Sequence, residues 1–282
     1  MVDVFGLQME TAKAVDGRFG VAAALSTARG VVDVVESMIP AVPEVVRRDL
    51  SMLGAEAAEF VGWLYRDLAD AAQAIRWYDR AMEYAQLCGH LPMQGFVLLR
   101  KSQLAYESGD GNRVRMLAEA AIEGPWQLPP MLLAEALLQI ARGNAMMGNG
   151  VDMETATGQA RDVADGEDLT LREASCWIEA NQPERAAQIY DERLGADGLS
   201  TRDTGYYRAR QAIALAQAEL PDLAATHALT ALSTSIRTGS MRTYGSIRKA
   251  HRILAPWHAR DTVAALGEAL NAAALPSPRR QR

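Results

Sequence analysis

The sequence predicts an all-α protein, a solenoid of antiparallel helix hairpins, and three observations carry that expectation. Apolar residues recur at three-and-four spacing through most of the 282 residues, the period of one helix face. Short breaks containing Gly, Pro or Asp separate helical stretches of about 12–20 residues, with links of roughly two to eight, which suits stacked antiparallel hairpins. Alanine and leucine are abundant, whereas the Val/Ile/Thr alternation of strands is scarce.

In chain order, residues 1–43 do not match the pattern that follows. Met9 to Ile39 predicts two helices, broken at Asp16-Gly17-Arg18, that cap the first hairpin and shield its apolar side. Glu44 to Leu68 carries Val46, Leu50, Leu53, Ala57, Phe60, Val61, Leu64 and Leu68 on one face of a helix. A second helix follows from Ala71 to Leu87 and ends at Cys88 to Pro92. The cycle then repeats, with breaks at Gly109-Asp110-Gly111 and from Gly124-Pro125 to Pro129-Pro130. The array extends over residues 44–274, and Asp261 to Ala274 closes its far end. Residues 275–282 hold two prolines and three arginines and read as a disordered tail.

The segment from Gly62 to Ala81 places Gly62, Tyr65, Ala74, Tyr78 and Ala81 where a tetratricopeptide repeat wants a small residue, an aromatic, a small residue, an aromatic and a small residue. The reason is steric: small residues let the two helices of a hairpin approach, and the aromatics fill the gap to the next hairpin. Weaker copies put the position of Gly62 at Ser102, Ala141, Ala174, Ile213 and Ile247, at intervals of 40, 39, 33, 39 and 34 residues. Within them Ala121, Ala160, Ala186 with Tyr190, and Ala225 with Leu229 fall where small or bulky residues are wanted. The chain thus resembles a tetratricopeptide-like α-solenoid, and that resemblance implies a right-handed superhelix. The competing reading is an irregular helical bundle.

A narrower resemblance rests on three stretches: Leu53 to Leu68, Leu98 to Tyr106, and Gly124 to Pro130. These are similar to the sensor regions of actinobacterial helix-turn-helix (XRE-type) transcriptional regulators. In that family a DNA-binding domain precedes a tetratricopeptide array that receives a peptide, protein or small molecule. No complete helix-turn-helix precedes Glu44, so direct DNA binding is not expected of this chain. A free-standing sensor and a piece of a longer regulator both remain open.

Composition excludes several other classes. A formal net charge of −6 gives no overall positive field for a nucleic-acid backbone. Two cysteines, Cys88 and Cys176, cannot make a disulfide framework and suggest a reducing cytoplasm. No signal-peptide pattern opens the chain, and no apolar run approaches the ~18 residues of a membrane span. His90, His227, His251 and His258 are scattered, without metal-ligand spacing to either cysteine. Nucleophile-elbow, phosphate-loop and zinc-protease motifs are missing, and Gly109 to Asn112 and Gly148 to Gly150 read as turns. The expectation is a binding protein, not an enzyme, with no cofactor and no metal.

In a tetratricopeptide array the first helix of each hairpin lines the concave groove. That register turns inward Trp63 and Arg66; Arg100, Gln103 and Tyr106; Glu135, Gln139 and Arg142; Arg172; Tyr207, Arg210, Gln211 and Gln217; and Tyr244, Arg248 and His251. Arg, Gln and Tyr offer directed donors or a flat apolar face with a polar tip, so the groove suits an extended peptide or its carboxylate. The first reading is a sensor, linked to transcriptional regulation, that takes a peptide or protein segment in this groove. The alternatives are an adaptor without sensing role and a small-molecule receptor with a closed apolar pocket. Whether the chain forms a homodimer is open.

Overall fold

The structure, a computed structural model, describes residues 2–164, 169–195 and 198–273. The expected disordered tail and Ala274 lie outside the described residues. Among those residues the regular structure is helical, with no strand: α1 Val2–Phe19, α2 Val21–Met38, α3 Glu44–Asp67, α4 Ala71–Leu87, α5 Leu91–Glu107, α6 Gly111–Glu123 and α7 Pro130–Met146. The second half continues with α8 Gly150–Val163, α9 Thr170–Glu179, α10 Pro183–Arg193, α11 Thr201–Gln217, α12 Pro221–Thr238, α13 Met241–Ile253 and α14 Asp261–Ala272. Consecutive helices pack on one another, except that α9 packs on α7 rather than on α8, and the short links between many of them force an antiparallel sense. Two short 3-10 turns, Ile39–Ala41 and Ala255–Trp257, tighten the links before α3 and α14.

The hairpins share one backbone device. The link from α3 to α4 holds Ala69 at φ 57°, and the corresponding links hold Gly109 at 77°, Gly148 at 79°, Asn181 at 56° and Glu219 at 58°. In four of the five, the next N–H reaches back to the carbonyl five residues earlier, as Asp70 does to Tyr65 and Leu220 to Leu215. This is the left-handed helix stop that satisfies otherwise orphaned carbonyls. Asp70 and Asp110 then cap the following helices by accepting from the backbone N–H groups of Gln73 and Arg113.

Packing follows the small-residue logic of the repeat. A Cβ added at Gly62 would sit 2.5 Å from the Tyr78 ring, so only glycine lets α3 and α4 approach with that aromatic between them. Ser102, Ala141, Ala174, Ile213 and Ile247, the equivalent positions, are all fully buried. The Ser102 hydroxyl is satisfied by donating to the Val114 carbonyl of its partner helix α6 at 2.7 Å.

The N-terminal helices depart from expectation. The break falls at Gly20, not at Asp16-Gly17-Arg18, through which α1 continues. Gly20 has φ 86°, and a Cβ there would lie 1.8 Å from the Thr238 carbonyl oxygen at the end of α12. Gly17 comes close to Ser200 in the same way. Thus α1 and α2 form a further hairpin that packs on α3 on one side and meets α11 and α12 on the other, while α13 touches α3. The array turns back on itself, and its ends join.

Candidate functional site

Closure of the array leaves a central chamber of about 530 Å³. Every odd-numbered helix contributes to its wall, and no even-numbered helix does. Seven cationic side chains line it, Lys13, Arg66, Arg100, Arg142, Arg172, Arg202 and Arg242, against four carboxylates, Asp16, Glu59, Glu135 and Asp203. Aromatic rings complete the wall: Phe60, Trp63, Phe96, Tyr206 and Tyr207.

Trp63 is the centre of one side. The guanidinium groups of Arg202 and Arg242 lie 4.7 Å from its ring, and those of Arg66 and Arg100 lie 5.3 Å away. Arg66 and Arg100 come from the first half of the chain, Arg202 and Arg242 from the last third. Cations from both ends of the array therefore meet around one indole ring.

Most of these arginines are not free positive charges. Arg66 donates to Glu107 at 2.8 Å and to Gln103 at 3.0 Å. Arg100 pairs with Glu59, Arg172 with Glu135, Arg202 with both Asp16 and Asp203, and Arg242 with Asp67. Such pairing is what a buried guanidinium requires. The groove is a network in which neighbouring helices exchange charge.

Arg142 is the exception. It is 7% exposed, makes no salt bridge among the described residues, and donates only to Gln139 of its own helix, at a long 3.4 Å. Its Nε has no partner, and its guanidinium lies 4.8 Å from the Tyr106 ring.

The expected groove residues divide by their place around the ring. Trp63, Arg66, Arg100, Gln103, Glu135, Gln139, Arg142, Arg172 and Tyr207 line the chamber. Tyr106, Arg210 and Gln211 stand one layer behind: the Tyr106 hydroxyl donates to Glu179 at 2.6 Å, and Arg210 reaches the same carboxylate at 3.0 Å. Burial pushes the Glu179 carboxyl up, but Arg210, Lys249 and the Tyr106 bond hold it at about 2. Gln217 is also removed from the wall, with an unpartnered Oε1. Tyr244, Arg248 and His251 do not line the chamber. The Tyr244 hydroxyl donates to the Leu270 carbonyl of α14, His251 faces Gly267 of the same helix, and Arg248 is exposed.

The register itself holds in that last hairpin, since Ile247 is buried. What changes is height. The chamber crosses α3 at Glu59 to Arg66, in its second half, but crosses α11 at Arg202 to Tyr207 and α13 at Arg242, near their starts. Fixed repeat positions therefore miss Arg202, Asp203, Tyr206 and Arg242. They also miss Lys13 and Asp16, because α1 had been assigned to a cap. A signal was present in the sequence: Tyr206-Tyr207 beside Arg202, Arg210 and Arg242.

A second, shallower pocket of about 330 Å³ lies between Arg48, Met52, His90 and Trp126. His90 is occupied there by capping α5, accepting from Met93 N–H. No group of three or more His, Cys, Asp or Glu suited to a metal ion occurs among the described residues. No helix among them is long and apolar enough to cross a membrane.

Fold and site together define an all-helical hairpin array closed around a polar, arginine-rich chamber. No protein-family model matches the chain, and no curated protein sequence matches it either.

Proposed function

We propose that the protein is a ligand-sensing regulatory module that takes the end of a peptide or protein segment into its central chamber. The observation that carries this reading is the chamber itself: about 530 Å³, walled by polar and aromatic side chains from every odd-numbered helix. Sites of that size hold compact ligands or chain ends, not long extended segments. The glycine and alanine spacing supports a tetratricopeptide-like scaffold, and the resemblance to that family implies a right-handed superhelix. The resemblance to sensor regions of actinobacterial regulators supports a link to transcriptional control.

In this reading the closed ring is one of the two states that sensing needs, and an opened ring is the other. A ligand bridging Trp63 or Arg66 to Arg202 or Arg242 contacts both ends of the array at once, and so favours the closed ring by its differential affinity. An adaptor that merely holds two proteins has no use for a chamber walled by seven helices. Its size favours one second reading, a compact polar small molecule in the same space.

The test is a plug. Leu199 lines the chamber and is only partly buried, so Leu199→Trp adds bulk within it. A library of short peptides, screened by thermal shift and followed by calorimetry, identifies binders to the native chain. The plugged variant is expected to bind them at least about tenfold more weakly. Equal affinity would put the site elsewhere.

A further inference from the structure

The wall contains one place where charge and hydrogen-bonding capacity are left over. Arg142 on α7 is more than nine-tenths buried, faces the chamber, and lacks a carboxylate partner. Its Nε and that of Arg210 are buried donors without acceptors. Both guanidinium groups rest against the Tyr106 ring, at 4.8 and 5.5 Å. That contact offsets part of the cost of burying the charge but fills no N–H.

Tyr206 of α11 lines the same chamber. Arg242 stacks on its ring at 3.8 Å, and its hydroxyl has no hydrogen-bond partner among the described residues. Burial alone would raise its titration, yet Arg210, Arg242, Arg142 and Arg66 together pull it below the usual tyrosine value. Of those four arginines, Arg66, Arg210 and Arg242 are bound to Glu107, Glu179 and Asp67. One positive charge remains uncompensated, in a chamber that also presents a phenol with a free O–H.

Resting on the chamber as the ligand site, we infer that Arg142 and Tyr206 together receive an oxyanion of the ligand, a carboxylate or a phosphate. The guanidinium supplies two N–H donors and the missing counter-charge, and the phenol supplies the third donor. Binding pairs the one buried charge left unpaired among the described residues. Carboxylate and phosphate share this chemistry; the single surplus charge suits a monoanion.

Acetate and inorganic phosphate serve as probes, each at about 10 mM against chloride at equal ionic strength, with the melting midpoint of the full chain as the first reading. The second reading is the phenolate absorbance of Tyr206, taken as the difference between the native chain and Tyr206→Phe across an alkaline titration. At least one probe is expected to raise the midpoint and to move the Tyr206 titration upward, because an anion beside the phenol opposes its ionisation. The one that acts identifies the source. Arg142→Gln is expected to weaken that probe about tenfold, and Tyr206→Phe to weaken it several-fold. Should Arg142→Gln not fold, Arg142→Lys keeps the charge without the planar fork, and Tyr206→Phe decides alone. Stabilisation that survives in both the Arg142 and Tyr206 variants overturns the inference, as does the absence of any probe effect on midpoint and absorbance. If peptides bind the native chain, are lost in Leu199→Trp, and are unaffected by Arg142→Gln, the chamber stands as the binding site and the oxyanion inference fails.

Discussion

The Ser240 hydroxyl donates to Asp67 Oδ1 at 2.9 Å, joining residues 173 positions apart. Arg242 Nε reaches the same oxygen at 3.2 Å, and the Asp16–Arg202 pair ties α1 to α11 beside it. No apolar cluster crosses this seam. One large cluster runs from Met9 to Val97 and another from Ala141 to Leu270, with smaller ones between them in the middle of the chain. Asp16 Oδ1, Asp67 Oδ2 and Arg202 Nε are buried there without partners. The ring is therefore closed by polar contacts, some of them incomplete, and lacks at this point the apolar burial that joins adjacent hairpins.

Gly20 tests the closure. An alanine there would face both a left-handed backbone and the Thr238 carbonyl, and the expected loss is ~1–3 kcal/mol in urea unfolding. The radius of gyration in X-ray scattering is expected to rise as the seam opens. Gly30→Ala, inside α2 with open space around it, is the control and is expected to gain ~0.5–1 kcal/mol. Equal behaviour of the two variants would mean that the ends do not meet in solution.

Asp16 gives the seam a pH signature. Its carboxyl is raised to about 6, chiefly by burial; Arg202 pulls it down, and Asp67 and Asp203 push it up. A carboxyl raised on folding contributes stability that is fully present below its unfolded value near 4 and lost as pH rises through about 6. Asp16→Asn cannot titrate. The stability of the native chain relative to this variant is therefore expected to fall between about pH 4 and 6 and to stay level above. Glu179, held down at about 2, acts in the opposite sense in a more acidic window and cancels in the comparison. A flat difference across pH 4 to 6 would show that Asp16 is not buried at the seam.

Hairpin order was legible because it rests on local chemistry: Gly62 against Tyr78, Ala74 and Ala81 beneath them, and breaks at Gly109 and Gly148. The irregular repeat intervals concealed a more regular backbone, since the same left-handed stop occurs at Ala69, Asn181 and Glu219, where no glycine announces it. Closure was not legible, because it depends on Gly20 meeting Thr238 and on Asp67 meeting Ser240, pairs that no periodicity relates. The chamber was half legible for the same reason. Trp63 and Arg100 follow from the repeat, whereas Arg202 and Arg242 depend on the height at which the returning helices pass.

The hairpin interior gives a third test. Ala74 is fully buried on α4, and its carbonyl oxygen lies 3.3 Å from where a Gly62 Cβ would be. Ala74→Leu is expected to overpack this contact at a cost of ~1–3 kcal/mol. An unchanged melting midpoint would mean that α3 and α4 are not packed in this register.

The repeat register places both Arg142 and Arg210 in the groove, and the structure separates them. Arg210 is 2% exposed and pairs with Glu179, a carboxylate that also accepts from Tyr106. Residues of α5, α9 and α11 meet in this contact, so Arg210 is an internal tie between hairpins. Arg210→Ala strips a buried carboxylate of its main counter-charge, leaving Lys249 at 3.7 Å, and the expected cost is ~3–5 kcal/mol. Arg142→Ala removes a buried charge that no carboxylate balances. It loses the contact with Tyr106 but also the cost of burying that charge, and the net change is expected to stay within ~1 kcal/mol. Urea unfolding of the two single variants at neutral pH decides between them. Similar large losses would mean that Arg142 has an acceptor in solution and is structural. A small loss for Arg142 beside a large one for Arg210 leaves Arg142 as the arginine that can be altered without disturbing the fold.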